Sequence, residues 1–336
     1  MASTTAISIV LLAGLSMGSM AEARTESAAD LQASTVAAVL PTSLMLAATP
    51  EQTGVAAKAL EEPDAKSPLT VVISGFGQMG ARSDGKDGNG SLGVSRVGGV
   101  VGLAYRIDDT YTLTLNLRST RSYFSFSDDV RVAGIRKPFN DLNEYGIDPG
   151  LLVRFDENWT GFFTARLRWG GEPQNAFSGG FEGGAVVGAS YRFSPDLTVG
   201  FGVGVLSRIE QSAHIIPIIA VNWKASETVR VRNRRLGMEV VVDVAKDVQV
   251  IVGGEYEFEA FRLDESSQIS RGVVRDRHAS IDIGLAYTIC PNVVASVSGG
   301  ATIYRSIKLL NSNGQELDRY EADPTPYVGA RLEVKF

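Results

Sequence analysis

The sequence predicts an all-β chain: an antiparallel transmembrane β-barrel, most simply of fourteen strands, with twelve as the alternative. Three observations predict it. Short stretches of alternating apolar and polar residues follow one another from Leu69 to Phe336, and no long stretch has a period of 3.6. Short turns and longer polar loops alternate between them. The apolar face of several stretches carries aromatic residues at its ends. A soluble sandwich also alternates, but the aromatic ends, a secretory-type N-terminus and a closing aromatic residue favour the barrel.

Composition limits the classes. The chain has 336 residues, with 32 Lys and Arg against 38 Asp and Glu, so no polybasic surface for nucleic acid is expected. The single cysteine, Cys290, supports neither an intramolecular disulfide nor a cysteine metal site. No run of about 18 apolar residues occurs beyond the N-terminus, so no helical anchor is expected in the body.

Residues 1–23 read as a signal peptide. Ala6 to Met20 is apolar and small, and Ala21-Glu22-Ala23 offers an A-x-A cleavage site, although MASTTA carries no basic residue. Residues 24–67 are rich in Ala, Ser, Thr and Glu with little periodicity, and read as a disordered periplasmic segment. Residues 68–336 are the barrel.

Strands are expected to start near 69, 92, 111, 143, 159, 181, 197, 214, 228, 236, 248, 273, 293 and 324. Short turns are expected at 107–110, 156–158, 194–196, 225–227, 246–247 and 290–292. Longer connections are expected at 81–91, 127–142, 170–180, 264–272 and 309–323. The stretch 229–233 is short, which leaves twelve strands open.

The faces are the stronger test. From 159 to 169, Trp159, Gly161, Phe163, Ala165, Leu167 and Trp169 share one face. Two Trp ten residues apart on a strand tilted near 40° are separated by about 25 Å of height, the spacing of two aromatic girdles. From 273 to 289, Ala279, Ile281, Ile283, Leu285, Tyr287 and Ile289 form an apolar band. Arg275 and Arg277 continue that face beyond the band, where anionic head groups lie. In the last stretch Val328, Ala330, Leu332 and Val334 alternate with Gly329, Arg331, Glu333 and Lys335 before Phe336. Such a strand is expected to present the barrel to its assembly machinery. Trp159, Trp169, Tyr287 and Phe336 are the candidate membrane-interface aromatics.

Gly254-Glu255-Tyr256-Glu257-Phe258-Glu259-Ala260-Phe261-Arg262-Leu263-Asp264 resembles an uncharacterised, domain-of-unknown-function family of predicted bacterial outer-membrane β-barrel proteins. Gly272-Val273-Val274-Arg275-Asp276-Arg277 and Asp323-Pro324-Thr325-Pro326-Tyr327-Val328-Gly329 carry the same resemblance. It implies the fold and a place in the bacterial outer membrane, and brings no catalytic or binding residues.

With the oily face in lipid, the polar face lines the lumen. Arg96, Arg106, Arg118, Arg166 and Arg168 are the expected basic pore wall. Glu239, Asp243, Glu255, Glu257, Glu259, Asp276 and Asp282 are the expected acidic pore wall. Facing walls of opposite sign would orient dipolar solutes. Gly98, Gly102, Gly184, Gly188, Gly200, Gly202 and Gly204 would leave space. A passive pore for small polar or charged solutes is the expected function. The alternative is a non-conducting structural or adhesion barrel of the envelope, with 127–142 and 309–323 displayed outside. Open space between the charged walls favours the pore, and direct salt bridges between them favour the structural barrel.

No enzyme is expected. His278 and Ser280 stand two apart on one strand face, as in outer-membrane phospholipases, but Ile281 and Asp282 follow, and the parity points both inward. No cofactor or metal is expected. Residues 84–90 hold calcium-like oxygen ligands but lack the Glu of an EF-hand loop. The expected partners are the lipid bilayer and its outer-leaflet lipids, the assembly machinery and small solutes.

Overall fold

The computed structural model describes residues 68–336 except 87–89, 175 and 178. The expected signal peptide and the segment 24–67 lie outside the described residues. Fifteen strands form one sheet. They are β1 (Leu69–Asp84), β2 (Ser91–Arg106), β3 (Tyr111–Phe126), β4 (Asp141–Arg154), β5 (Trp159–Gly171), β6 (Phe181–Ser194), β7 (Leu197–Arg208), β8 (Gln211–Lys224), β9 (Val229–Arg234), β10 (Gly237–Ala245), β11 (Val248–Arg262), β12 (Val273–Cys290), β13 (Val293–Leu310), β14 (Glu316–Ala322) and β15 (Thr325–Lys335).

The sheet closes through β1 and β15, from Val72↔Lys335 to Gly80↔Tyr327. The wall has fourteen strands, because β14 and β15 are one strand. Both pair with β13, and Arg305↔Ala322 and Thr302↔Thr325 keep one register across the break. The break falls at Pro324, which has no N–H to donate to the ladder. The sequence reading placed 309–323 in a loop. The structure shortens that loop to 311–315, because the alternation of Leu317, Arg319 and Glu321 against Asp318, Tyr320 and Ala322 continues the strand above the membrane band.

Outward side chains form an apolar belt. Ile281, Ile283, Leu285, Tyr287 and Ile289 are each at least half exposed, as are Phe201 and Val187. Two aromatic groups bound it on β4–β6. At one end Trp159 packs on Tyr191 at 4.8 Å, and Tyr191 on Phe193 at 4.8 Å. At the other, Trp169 meets Phe181 at 5.3 Å, and Tyr145 stacks on Phe177 at 4.8 Å. This is a barrel solvated by lipid.

The alternation of short and long connections fails at two external turns. β7–β8 and β9–β10 are joined by two residues each, with Glu210 at φ 55° and Arg235 at φ 46°. Glu210 is the second residue of its turn and Arg235 the first of its own, and two-residue hairpin turns use positive φ to match the strand twist. β9 has only six residues, so β8 pairs with β9 only from Asn222↔Arg232 to Lys224↔Arg230. Above that, β8 pairs with β7 alone among the described residues. β11 loses β10 above Met238↔Gly254 and instead meets β5 in parallel at Arg262↔Gly171. Glycine permits the meeting, since a side chain on Gly170 would collide with the Ala260 carbonyl. The wall is thus drawn together at its external end, where β5 and β11 are neighbours and β6–β10 bulge outside the seam.

The largest apolar core lies inside that external end. Leu92 and Val94 of β2, Phe124 and Phe126 of β3, Phe261 of β11, Val274 of β12, and Ile307 and Leu309 of β13 point inward there. Val130, Val132 and Phe139 from the loop 127–140 complete it. Phe139 meets Phe124 at 5.1 Å and Phe126 at 5.2 Å, both edge-on. The loop that the sequence reading displayed to the exterior is therefore folded into the mouth, because its three large apolar residues gain more by burial than by exposure.

Candidate functional site: the lumen

β-strand parity delivers the inward side chains, and register decides which of them share a level. Arg96 of β2 lies level with Ser122 of β3, to which its Nε donates at 3.2 Å. Its guanidinium then crosses the lumen. Nη1 donates to Glu257 at 2.9 Å, and Nη2 donates to Glu259 at 3.0 Å and Asp276 at 2.8 Å. Arg305 of β13 lies 3.4 Å from Asp276. His278 Nε2 sits 2.7 Å from Arg96 Nη1 and 2.8 Å from Glu257.

This contact requires an oval section. Four strand steps separate β2 from β12 around the wall. On a circular fourteen-strand barrel of about 14 Å radius, those two strands would stand about 22 Å apart. An arginine and an aspartate do not span that distance. The β5–β11 seam reduces the external ring and brings the walls together.

A second group of ion pairs sits one level away. Arg234 reaches Asp282 at 2.7 Å and Glu255 at 3.4 Å, and Arg235 pairs with Glu257. Tyr327 of β15 donates to Asp282 at 2.8 Å. Further along the same wall Arg232 bonds Glu239 and Arg230 bonds Asp243 at 2.8 Å, with Gln249 also on Asp243 at 2.8 Å.

The opposite wall carries acids of its own. Arg168 donates to Glu144 at 3.2 Å and Asp148 at 3.0 Å, both on the adjacent β4. Asp148 is level with Asn116 of β3, which is buried and has no partner for either side-chain atom among the described residues. Arg106, Arg118 and Arg166 share the inward parity of Arg96 and Arg168 on β2, β3 and β5.

The two walls are therefore mixed rather than single-signed. Each sequence-chosen acid and arginine lies on the inward face, but Glu144 and Asp148 stand on the basic wall. Arg230, Arg232, Arg234, Arg235 and Arg305 stand on the acidic one. The reason is local: a charge held away from water needs an opposite charge beside it. Sequence reasoning missed these residues for want of register. The doublet Arg234-Arg235 at a two-residue turn was the one visible signal.

Three of the glycine positions are also filled. The ring of Phe162 lies over Gly188 and Gly202, and that of Phe76 over Gly98. Phe162 joins Val186 and Ile218 in a small inward apolar cluster. His278 and Ser280 are both buried inside the wall, away from the lipid face. Trp159, Tyr287 and Phe336 face outward and are exposed.

The class defined by these features is a membrane-spanning β-barrel with a charged, bridged lumen and a closed external mouth. Comparison with solved structures finds distant likenesses. An outer membrane channel from Pseudomonas putida F1 is 11% identical, covering 80% of this chain and 96% of its own, with a TM-score of 0.43. The toluene transporter TodX of P. putida is 8% identical over 86% and 92%, with a TM-score of 0.42. The translocator domain of the autotransporter NalP from Neisseria meningitidis is 11% identical over 85% and 95%, at 0.34. No family model and no curated protein matches the sequence.

Proposed function

We propose that the protein is a passive channel of the bacterial outer membrane for small polar or charged solutes, held closed at its external end in this conformation. The carrying observation is that closure rests on two detachable parts. One is the loop 127–140 with Val130, Val132 and Phe139, and the other is the cross-lumen side chain of Arg96. Neither is part of the hydrogen-bonded wall, so both can move while the barrel stays closed on itself. Beneath them, Arg106, Arg118, Arg166, Arg168, Glu239 and Asp243 line the passage, and the acids Glu255, Glu257, Glu259, Asp276 and Asp282 stand at the constriction. A charge-lined passage selects polar solutes and disfavours apolar ones. The C-terminal strand serves as the contact for the assembly machinery, and no chemistry is assigned to the lumen.

A second reading has a specific observation behind it. Arg96 joins the walls directly, as a filled interior would, which favours a non-conducting structural barrel. Single-channel recording in a planar bilayer separates the two. A channel gives rare openings in the parent and frequent, stable steps in Phe139→Ala. Silence from both proteins, with folding shown by heat-modifiable migration, establishes the structural barrel.

A further inference from the structure

Three guanidinium groups converge on the lipid-facing side of the wall, none of them in an ion pair among the described residues. Arg275 and Arg277 lie on the outward face of β12, directly above the band of Ala279, Ile281 and Ile283. Arg208 comes from β7. The β7–β8 tip leans across the outside of β11 and β12, where Ile209 packs with Ala260, Val273 and Leu310. Arg208 thereby lies over the Phe258 ring at 4.4 Å, and Arg277 lies over the same ring at 5.5 Å. Arg275 donates to the Ile209 carbonyl at 3.0 Å, and its buried Nε has no hydrogen-bond partner among the described residues.

The inner face differs. There, Arg96, Arg168, Arg234 and Arg235 each touch a carboxylate. Among the described residues, none of Arg208, Arg275 and Arg277 makes an ion pair, and Glu182 accepts instead from the Ile209 N–H at 3.3 Å. An aromatic ring holds a cation over its face but does not neutralise it. The cluster keeps an excess of positive charge at the border between an apolar belt and the exterior.

We infer that Arg208, Arg275 and Arg277 form a binding site for the anionic phosphate headgroup of an outer-leaflet lipid. Guanidinium groups hold phosphate oxygens through paired N–H donors, and this border is the depth of the headgroups. Arg208 and Arg277 are partly exposed and make the contact, while Arg275, fixed beneath Ile209, supplies the buried charge. The half-exposed Ile281 and Ile283 continue below the site as a bed for acyl chains. The inference rests on the barrel and its lipid face, and holds for a channel and for a structural barrel alike.

The test uses the full chain in vesicles of phosphatidylcholine, with or without phosphatidic acid, and reads the midpoint of heat-modifiable migration. Phosphatidic acid raises the midpoint of the parent. The rise is lost in R208Q/R277Q, while the midpoint in phosphatidylcholine alone stays at the parent value. Arg121→Gln, which removes an outward arginine already paired with Asp141 at 2.7 Å, keeps the rise. Should R208Q/R277Q not fold, Arg277→Gln alone carries the test by reducing the rise. No rise in the parent, or a rise kept without both arginines, overturns the inference. So does an equal rise from inorganic phosphate added to phosphatidylcholine vesicles, which would make this a site for free anions.

Discussion

Replacing Arg96 by methionine keeps an unbranched apolar stem and removes the charged head that joins β2 to β11 and β12. Three carboxylates, on Glu257, Glu259 and Asp276, lie within 2.8–3.0 Å of its nitrogens, and Arg96 and Asp276 are buried. Removing one partner of a buried ion pair costs about 3–5 kcal/mol, against about 0–1 kcal/mol for an exposed pair. The burial places Arg96→Met in the first range. The constriction also changes sign balance. Arg96, Arg234, Arg235 and Arg305 now face Glu255, Glu257, Glu259, Asp276 and Asp282, four positive against five negative. Loss of Arg96 leaves three against five, so any current through the variant should favour cations more than that through the parent. Equilibrium urea unfolding in detergent micelles reads the stability, and reversal potentials in a salt gradient read the selectivity. A stability loss below about 1 kcal/mol would show that water already screens the cluster, and the reasoning from burial would fall.

The other predictions concern the mouth and the wall. Phe139→Ala should cost about 3–5 kcal/mol, as expected for a buried phenylalanine, and should raise opening frequency as well, measured by unfolding and by single-channel recording. Asn233→Ala removes the side chain that accepts from Val221 N–H at 2.5 Å and donates to the Ile219 carbonyl at 3.4 Å. It should destabilise by about 1–3 kcal/mol for each orphaned group, and speed hydrogen exchange at Val221 above that of β12. The Asp128 carboxyl in the external loop is held below its usual range by the hydrogen bond from Lys137. A depressed carboxyl stabilises the loop above its unfolded value near pH 4 and loses that contribution as pH falls through the folded value. Loop protection in hydrogen exchange should therefore weaken in acid, and Asp128→Asn should remove that dependence.

The period-two pattern made the wall legible because every strand has to show apolar side chains to lipid on alternate positions. Most expected strand starts fall within two residues of the observed ones. The start near 214 falls at Gln211, and the start near 324 meets β15 at Thr325 but not β14, because Pro324 interrupts a strand that begins at Glu316. The loop 127–142 could be located but its destination could not, since burying Val130 and Phe139 depends on what the neighbouring strands present. The inward facing of Arg96 was legible from parity. Its partners were not, because they lie 161 to 180 residues away and depend on the oval shape of the barrel.

That shape traces to the six-residue β9. Its brevity strips β8 and β11 of partners on their facing edges above the β9–β10 turn, within a lipid-solvated wall where an unpaired backbone is costly. Two residues blunt the β8 edge. Lys224 N–H bonds to Asp196, so even-numbered residues of β8 turn their backbone toward β7 and odd-numbered ones toward the open side. Pro217 falls on the open side, where it removes a donor and blocks the addition of another strand. Asn233 supplies a side-chain substitute for the missing ladder at Val221 and Ile219. With its edge blunted, the upper part of β6–β8 is free to lean outward, and β5 can close directly on β11. The closing seam narrows the ring enough for Arg96 to reach Asp276. The leaning hairpin carries Arg208 onto Phe258 beside Arg277. One short hairpin thus accounts for both the bridge inside the lumen and the cation cluster outside it. Extending β9 and β10 by one residue pair should therefore loosen both together.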